Sequence, residues 1–363
     1  MLRFFLFLLF MNRIDLLFCV FLLFMLIAGC RTSQTAAPLS ASASVEYSII
    51  YVIHGDANYR FHDENGTSLQ ADEEVLNDAK NVGRKATNGE VFIFHQKPER
   101  KILWLFPKKD RQFLHYRNGA LVNSQSYSPQ SEQQSFVKES DLYREYTAKQ
   151  SRGKNVLLYY GHQIPDSEEI GYHKSRPNAV FNTTTFANGL ESFIDEEQSF
   201  DLTVLSTCNN GTPAMIHALR SATKYVLASP QNLHLSHIDS QPLLELNRPN
   251  RQEIRSAQLA RQLAEKNYDR LSGFLQTVIT LSIYDYDSIQ GYLPGLNNAY
   301  QNYLADNTGN SLLTENTDCA SLSFFDASRY KKGIQLWFKP PAFGTKKNNS
   351  TYSGWGCRKK DPE

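Results

Sequence analysis

Short apolar runs of strand length alternate with amphipathic segments of helical length along most of this chain. That alternation limits the fold more than any other feature. Residues 47–53 (YSIIYVI), 91–94 (VFIF), 155–160 (NVLLYY), 200–205 (FDLTVL) and 224–229 (KYVLAS) carry β-branched and aromatic residues in runs too short for buried helices. Residues 70–86 have helical spacing, with acidic residues near the start and Lys/Arg near the end, as the helix dipole favours. Residues 184–197 read as a further helix, and Thr212-Pro213 opens another, with proline where an N–H is dispensable. Strands alternating with helices imply βαβ units, hence an open α/β fold with a mainly parallel sheet flanked by helices. Residues 101–107 and 111–117, around Lys108-Lys109-Asp110, read as an inserted β-hairpin. A polar Ser/Gln stretch (124–135) and a helix to about residue 150 follow. Residues 251–267 and 287–305 are expected to be helices, and beyond 306 only 321–325 and 334–338 look like strands.

The N-terminus has another character. Residues 1–29 are two apolar runs split by Asn12-Arg13-Ile14-Asp15, and from Met11 onward they have the form of a secretory signal peptide. Its end, Leu26-Ile27-Ala28-Gly29-Cys30, resembles the bacterial lipobox, which implies lipidation of Cys30 and attachment to a membrane. Residues 30–46 would be a flexible tether, 47–305 the main domain, and 306–363 a small C-terminal extension with a basic tail. The chain carries 38 Lys+Arg against 37 Asp+Glu. Removing Arg3, Arg13 and Asp15 with the leader leaves it neutral, so lipid rather than charge would hold it to the membrane. The balance also argues against a nucleic-acid partner, which calls for a strong basic excess.

Of five cysteines, Cys19 leaves with the leader and Cys30 takes the lipid. Cys319 and Cys357 share the strand-poor last fifth of the chain, in a compartment that permits disulfides. Pairing them would contribute roughly 4 kcal/mol on the chain-entropy account. Cys208 is then the free thiol, either a reactive group or a small buried hydrophobe.

Two polar residues sit at comparable places: His162 just past the end of one strand and Cys208 just past the end of the next. In an open α/β sheet such ends lie along one edge, where ligand sites form. An imidazole beside a thiol is the minimum for nucleophilic catalysis, because it takes the thiol proton and later protonates the leaving amine. Asn209-Asn210-Gly211 then turns into a helix whose N–H groups favour anionic sulfur or a developing oxyanion. The other histidines have no spacing that suits a metal.

VLLYYGHQ (156–163), TFANGLESFI (185–194), FDLTVLSTCNNG (200–211) and KYVLASP (224–230) occur in that order, followed by EIRSAQLARQLAEKN (253–267) and TLSIYDYDSIQGYLPGLNNAYQNYLA (280–305). Together with Ile50-Tyr51-Val52-Ile53-His54-Gly55-Asp56-Ala57-Asn58, this series resembles the clostripain family of cysteine peptidases in the caspase-like clan. The resemblance implies a caspase-like α/β fold and cleavage of a peptide or protein substrate. Cys208 would be the nucleophile, His162 the general base and acid, and the backbone N–H groups of Gln163 and Cys208 the oxyanion donors. Calcium enters by the resemblance alone; the residues themselves call for no cofactor. Ser206 takes the place of the family's usual pocket carboxylate two before the nucleophile, which implies no strict preference for basic side chains. Asp56 reads as a second pocket residue or a loop cap, and His54 as a pocket-edge candidate. Gln163 stands where the family has glycine, and this keeps open a rival reading: a weak or inactive caspase-fold lipoprotein that binds peptides or acts as a scaffold. Either version would sit at the bacterial cell envelope.

If Cys30 carries the anchor, Cys30→Ser should move the mature protein from the detergent phase to the aqueous phase on phase partitioning. Unchanged partitioning after leader removal would contradict the assignment.

Overall fold

The computed structural model describes residues 45–56, 59–62, 66–98, 111–128, 136–148, 153–166, 170–171, 180–195, 198–233, 238–248, 255–306 and 316–358. The leader, Cys30 and nearly all of the tether lie outside the described residues, as does the expected strand at 101–107.

One nine-stranded sheet organises the chain. In chain order its strands are β1 (Tyr47–His54), β2 (Gly89–Gln96), β3 (Arg111–Arg117), β4 (Ala120–Tyr127), β5 (Lys154–Tyr160), β6 (Leu202–Ser206), β7 (Tyr225–Ala228), β8 (Ile279–Asp285) and β9 (Ile334–Lys339). In space they run β9-β8-β7-β6-β5-β1-β2-β3-β4. The five central strands, β7-β6-β5-β1-β2, are parallel, and the two at each side are antiparallel. Every residue of β1 and β2 is buried, as befits parallel strands covered on both faces. The five apolar runs of the sequence supply these five central strands.

Helix α1 (Ala71–Lys85) and α5 (Ser256–Phe274) cover one face, packing Val75, Val82, Leu259 and Leu263 onto Ile49, Ile53, Leu158 and Val204. On the other face lie α2 (Val137–Tyr146), α3 (Thr183–Glu191), α4 (Pro213–Ala218), the single turn α6 (Tyr286–Ile289) and α7 (Leu293–Asp306). Local chemistry starts several of them. Asn182 and Thr185 form a reciprocal capping box on α3, and Thr212 caps α4 with Pro213 behind it.

Four expectations need correction. The hairpin partner of β3 is β4, reached through the positive-φ pair Asn118-Gly119, so 120–127 is an edge strand and not a polar connection. Its polar, half-exposed pattern hides it, because an edge strand has one face in water. Residues 279–285 form the buried strand β8. The helix expected over 287–305 is interrupted between Ile289 and Leu293. Residues 321–325 form no strand; they leave a 3-10 turn at Cys319–Ser321. Finally, β9 joins the main sheet beside β8, and Trp355, Cys319 and Cys357 are buried in the core under α4 and α7, so residues on both sides of 305 share one core. The expected Cys319–Cys357 disulfide is present, and Cys208 is a free thiol.

A buried pair between β2 and β3 sets an acid limit on this fold. Burial drives His115 below its ordinary range despite Glu90, 3.2 Å away. Burial also opposes ionisation of Glu90, but hydrogen bonds from His115 and the Ala148 N–H, with the Arg117 charge, hold its carboxyl below the usual range. A histidine kept neutral by folding binds its proton more readily once unfolded. Stability should therefore fall as pH drops below about 6.5. Denaturant unfolding at pH 7 and pH 5 should show a smaller loss in His115→Gln than in the parent; equal losses would contradict the assignment.

Candidate active site

β1 and β5 lie side by side but feed crossovers in opposite directions, β1 toward β2 and β5 toward β6 and β7. A crevice opens beyond the carboxyl ends of strands at such a reversal. Ile53 pairs with Tyr160 across the two strands, so Asp56 and His162 enter the crevice from adjacent loops. His162 Nε2 lies 2.8 Å from Asp56 Oδ2. An ionised carboxylate only accepts, so Nε2 donates, and Nδ1 is the ring atom that can take a proton. Asp56 is 1% exposed and His162 22%: the carboxylate is sealed in while the ring stays reachable.

The thiol arrives by a second route. β5 and β6 pair with a constant offset, Val156 to Leu202 through Tyr160 to Ser206. That offset continues past the strand ends through side chains. Asn209 Nδ2 donates to Gln163 Oε1 at 2.9 Å, and Thr212 Oγ1 donates to Asp166 Oδ1 at 2.9 Å. Between them, Asn210 accepts the Ile164 N–H at 3.0 Å and donates to the Ile164 carbonyl at 2.9 Å. Each of these pairs is 46 residues apart, as are His162 and Cys208. Parallel strands run about 4.8 Å apart, so the imidazole and the thiol set out from neighbouring backbone positions that are locked on both sides.

Cys208 is partly buried, packs with Tyr59 against the same core cluster, and donates from Sγ to Asn232 Oδ1 at 3.0 Å. The Tyr59 ring lies 4.0 Å, centre to centre, from the His162 ring. Burial pushes the Tyr59 phenol well up, and Cys208 and Asp56 push it further. Buried Tyr160 moves the same way, with Tyr59, Asp72, Cys208 and Asp56 contributing. Asp56, Tyr59, Tyr160 and Cys208 thus share one electrostatic neighbourhood. Asn209 sits at φ +55°, a left-handed conformation that asparagine tolerates, and this turns the chain sharply after the thiol. Its N–H donates to the Gln231 carbonyl and that of Gly211 to Ser229, so these two amides are committed. The expected oxyanion donors, the N–H groups of Gln163 and Cys208, flank the His162–Cys208 step.

Other expected residues land differently. Asp56 turns its carboxylate on His162 and not toward a bound side chain. Ser206 is buried, and its hydroxyl accepts the Ile238 N–H at 2.9 Å. His54 is 4% exposed and lies among Phe136, Tyr159 and Phe181 on the opposite face of the sheet from Cys208, so it is no pocket edge. Sequence reading missed Asn210, Asn232, Tyr59 and Asp166. The Asn-Asn-Gly turn hinted at the first, but nothing local marks the other three. Among the described residues no group of three or more His, Cys, Asp or Glu side chains is placed to hold a metal ion, so no step is routed through calcium.

No family model and no curated protein matches the chain. Solved structures do. The chain is similar to an inactive zymogen C11 protease from Parabacteroides distasonis, with TM-score 0.54 and 13% identity over 88% of this chain and 93% of that one. A secreted C11 cysteine protease from Bacteroides thetaiotaomicron, in complex with an irreversible peptide inhibitor, aligns with TM-score 0.49 and 12% identity over 72% of this chain and 70% of that one. C11 proteases are the clostripain family. The first likeness defines the fold: a mixed α/β arrangement with a large, mainly parallel central sheet, as in the caspase-like C11 proteases.

Asn210 is the keystone of the bracket, since Thr207 Oγ1 also donates to its Oδ1 at 2.7 Å. Asn210→Ala would strand both backbone groups of buried Ile164 and should cost about 2–4 kcal/mol. Denaturant unfolding checks this; a loss below about 1 kcal/mol, the scale of an ordinary substitution, would mean the loops are held elsewhere.

Proposed function

We propose that the protein is a cysteine endopeptidase of the bacterial cell envelope, held to the membrane by a lipid on Cys30 and acting on peptide or protein substrates. The observation that supports this reading is the bracketed register, which sets His162, hydrogen-bonded to Asp56, and the free thiol Cys208 at neighbouring positions just past two adjacent strand ends.

The chemistry follows from the placement. His162 takes the Cys208 proton and the thiolate attacks the scissile carbonyl. The backbone N–H groups of Gln163 and Cys208 receive the developing oxyanion. His162 then protonates the leaving amine, and water, deprotonated by the same ring, releases the acid from the thioester. Asp56 keeps the proton on Nε2 and stabilises the imidazolium, so it acts through His162 as a positioning residue. Ser206, a neutral side chain already engaged by Ile238, supplies no carboxylate for a basic substrate residue, which supports a preference that is not strictly Arg or Lys.

The rival reading, a caspase-fold lipoprotein that captures peptides without turnover, draws on Gln163. Its side chain joins Asn209 where a glycine would leave the backbone unrestrained. Hydrolysis of a peptide library by the parent, absent in Cys208→Ala, would decide for the enzyme. Peptide binding without hydrolysis in both proteins would decide for the rival. Within the enzyme reading, Asp56→Asn should lower kcat on the order of a hundredfold or more while leaving KM within about threefold, because it disturbs the histidine and not substrate contacts. An unchanged kcat would remove Asp56 from the mechanism.

A further inference from the structure

The C-terminal segments meet the loop that carries the thiol. Thr317–Asp318 pairs with Gly356–Cys357, and the Cys319–Cys357 disulfide closes this small antiparallel pair. Asn316, just before it, is 2% exposed, and its Nδ2 donates to the carbonyls of Asn209 at 3.0 Å and Pro230 at 3.3 Å. Asn209 is the residue next to the thiol. One turn further, the Gly356 N–H donates to the Gly211 carbonyl at 2.9 Å. A side chain at Gly356 would place its Cβ 2.1 Å from the Pro230 carbonyl oxygen, so only glycine permits this approach. The Tyr284 hydroxyl lies within hydrogen-bond distance of both Gly211 O, at 3.2 Å, and Gly354 O, at 2.6 Å. Inside the strap, the Ser353 N–H bonds to Asp318 and the Cys319 N–H to the Trp355 carbonyl. Asn316 Oδ1 has no hydrogen-bond partner among the described residues. A buried amide with one half unsatisfied contributes through its other half, here the donor that reaches two carbonyls.

We propose that this disulfide-closed strap positions the nucleophile loop, with Asn316 as the positioning residue, so that the readiness of Cys208 depends on the oxidised Cys319–Cys357 bond. The consequence for catalysis rests on the peptidase reading; the mechanical coupling does not. The arrangement asks for one cysteine reduced and two oxidised at the same time. A trialkylphosphine separates the two conditions. With water it converts the strap disulfide to two thiols and itself to the phosphine oxide, while Cys208 stays a thiol.

Asn316→Asp is the sharpest variant, being nearly isosteric. Its ionised carboxylate offers no donor and sets negative charge against two carbonyl oxygens; once protonated it regains one O–H donor. Amide hydrogen exchange at Asn209 and Gly211 should run about tenfold faster in Asn316→Asp than in the parent at pH 7. The ratio should fall toward one as pH is lowered to 4.5, an acid rescue that a merely structural lesion would not show. Opening the disulfide with phosphine, or in the Cys319→Ala/Cys357→Ala double variant, should speed the same amides. It should also slow labelling of Cys208 by a peptidyl electrophile about tenfold relative to labelling by iodoacetamide. Circular dichroism confirms that each sample remains folded, and if the double variant does not fold, phosphine treatment of the folded parent and Asn316→Asp still decide. Unchanged exchange at Asn209 and Gly211 with the bond open would overturn the proposal. Faster exchange in a protein whose Cys208 ignores the peptidyl electrophile even when oxidised would leave the strap standing and sink the peptidase reading instead.

Discussion

The hydrogen bonds that carry the β5–β6 register beyond the strand ends are the constraint on which the rest depends. Strand pairing alone aligns residues only as far as Tyr160 and Ser206. Past that point the backbones are free to diverge, and in most open α/β sheets the loops do. Here Asn209, Asn210 and Thr212 reach across to Gln163, Ile164 and Asp166, so two loops behave as an extension of the sheet. His162 and Cys208 thus stand at neighbouring backbone positions set by their neighbours' bonds, with His162 engaged by Asp56 and the Cys208 thiol by Asn232. Charge-assisted bonding to Asp56 then fixes the ring on its far side.

This construction explains why Gln163 suits its position. A glycine there would gain conformational freedom but lose the amide that accepts from Asn209. The same carboxamide pattern recurs at buried Asn210 and Asn316 and at exposed Asn232, each linking the thiol loop to a different neighbour. Neutral amides can bridge loops without the desolvation cost that buried charges carry. Asp166 is the exception. Burial raises its carboxyl despite Arg358, Tyr300, Thr212 and Thr183, so the network ends in a group held near the limit of what its partners can satisfy.

The central strands, and the placement of His162 and Cys208 just past two neighbouring strand ends, were legible in the sequence because both follow from short-range rules. Continuous apolar runs mark buried parallel strands, and polar residues just past their ends mark the ligand-binding edge. β4 was not legible, since an edge strand with one wet face reads as a polar connection. Residues 321–325 failed in the opposite way: Phe324 and Phe325 are partly buried against the core from a turn, so their apolarity reports packing and not strand pairing. His54 and Asp56 stand two residues apart at the end of β1, yet they end on opposite sides of the sheet, His54 among aromatics and Asp56 on His162. Pocket membership depends on which way the chain turns after the strand, and no local pattern records that. The role of residues 316–358 was hidden for a related reason, because contacts such as Asn316 to Asn209 span more than 100 residues.

The central claim is that His162 activates the Cys208 thiol, and its most direct measurement is the rate at which a peptidyl electrophile forms a covalent adduct, followed by intact mass with the site mapped by peptide fragmentation. The account predicts a single adduct on Cys208 in the oxidised protein, formed on the order of a hundredfold or more slowly in His162→Ala. An adduct on Cys208 whose rate is indifferent to His162, or no adduct at all, would contradict it.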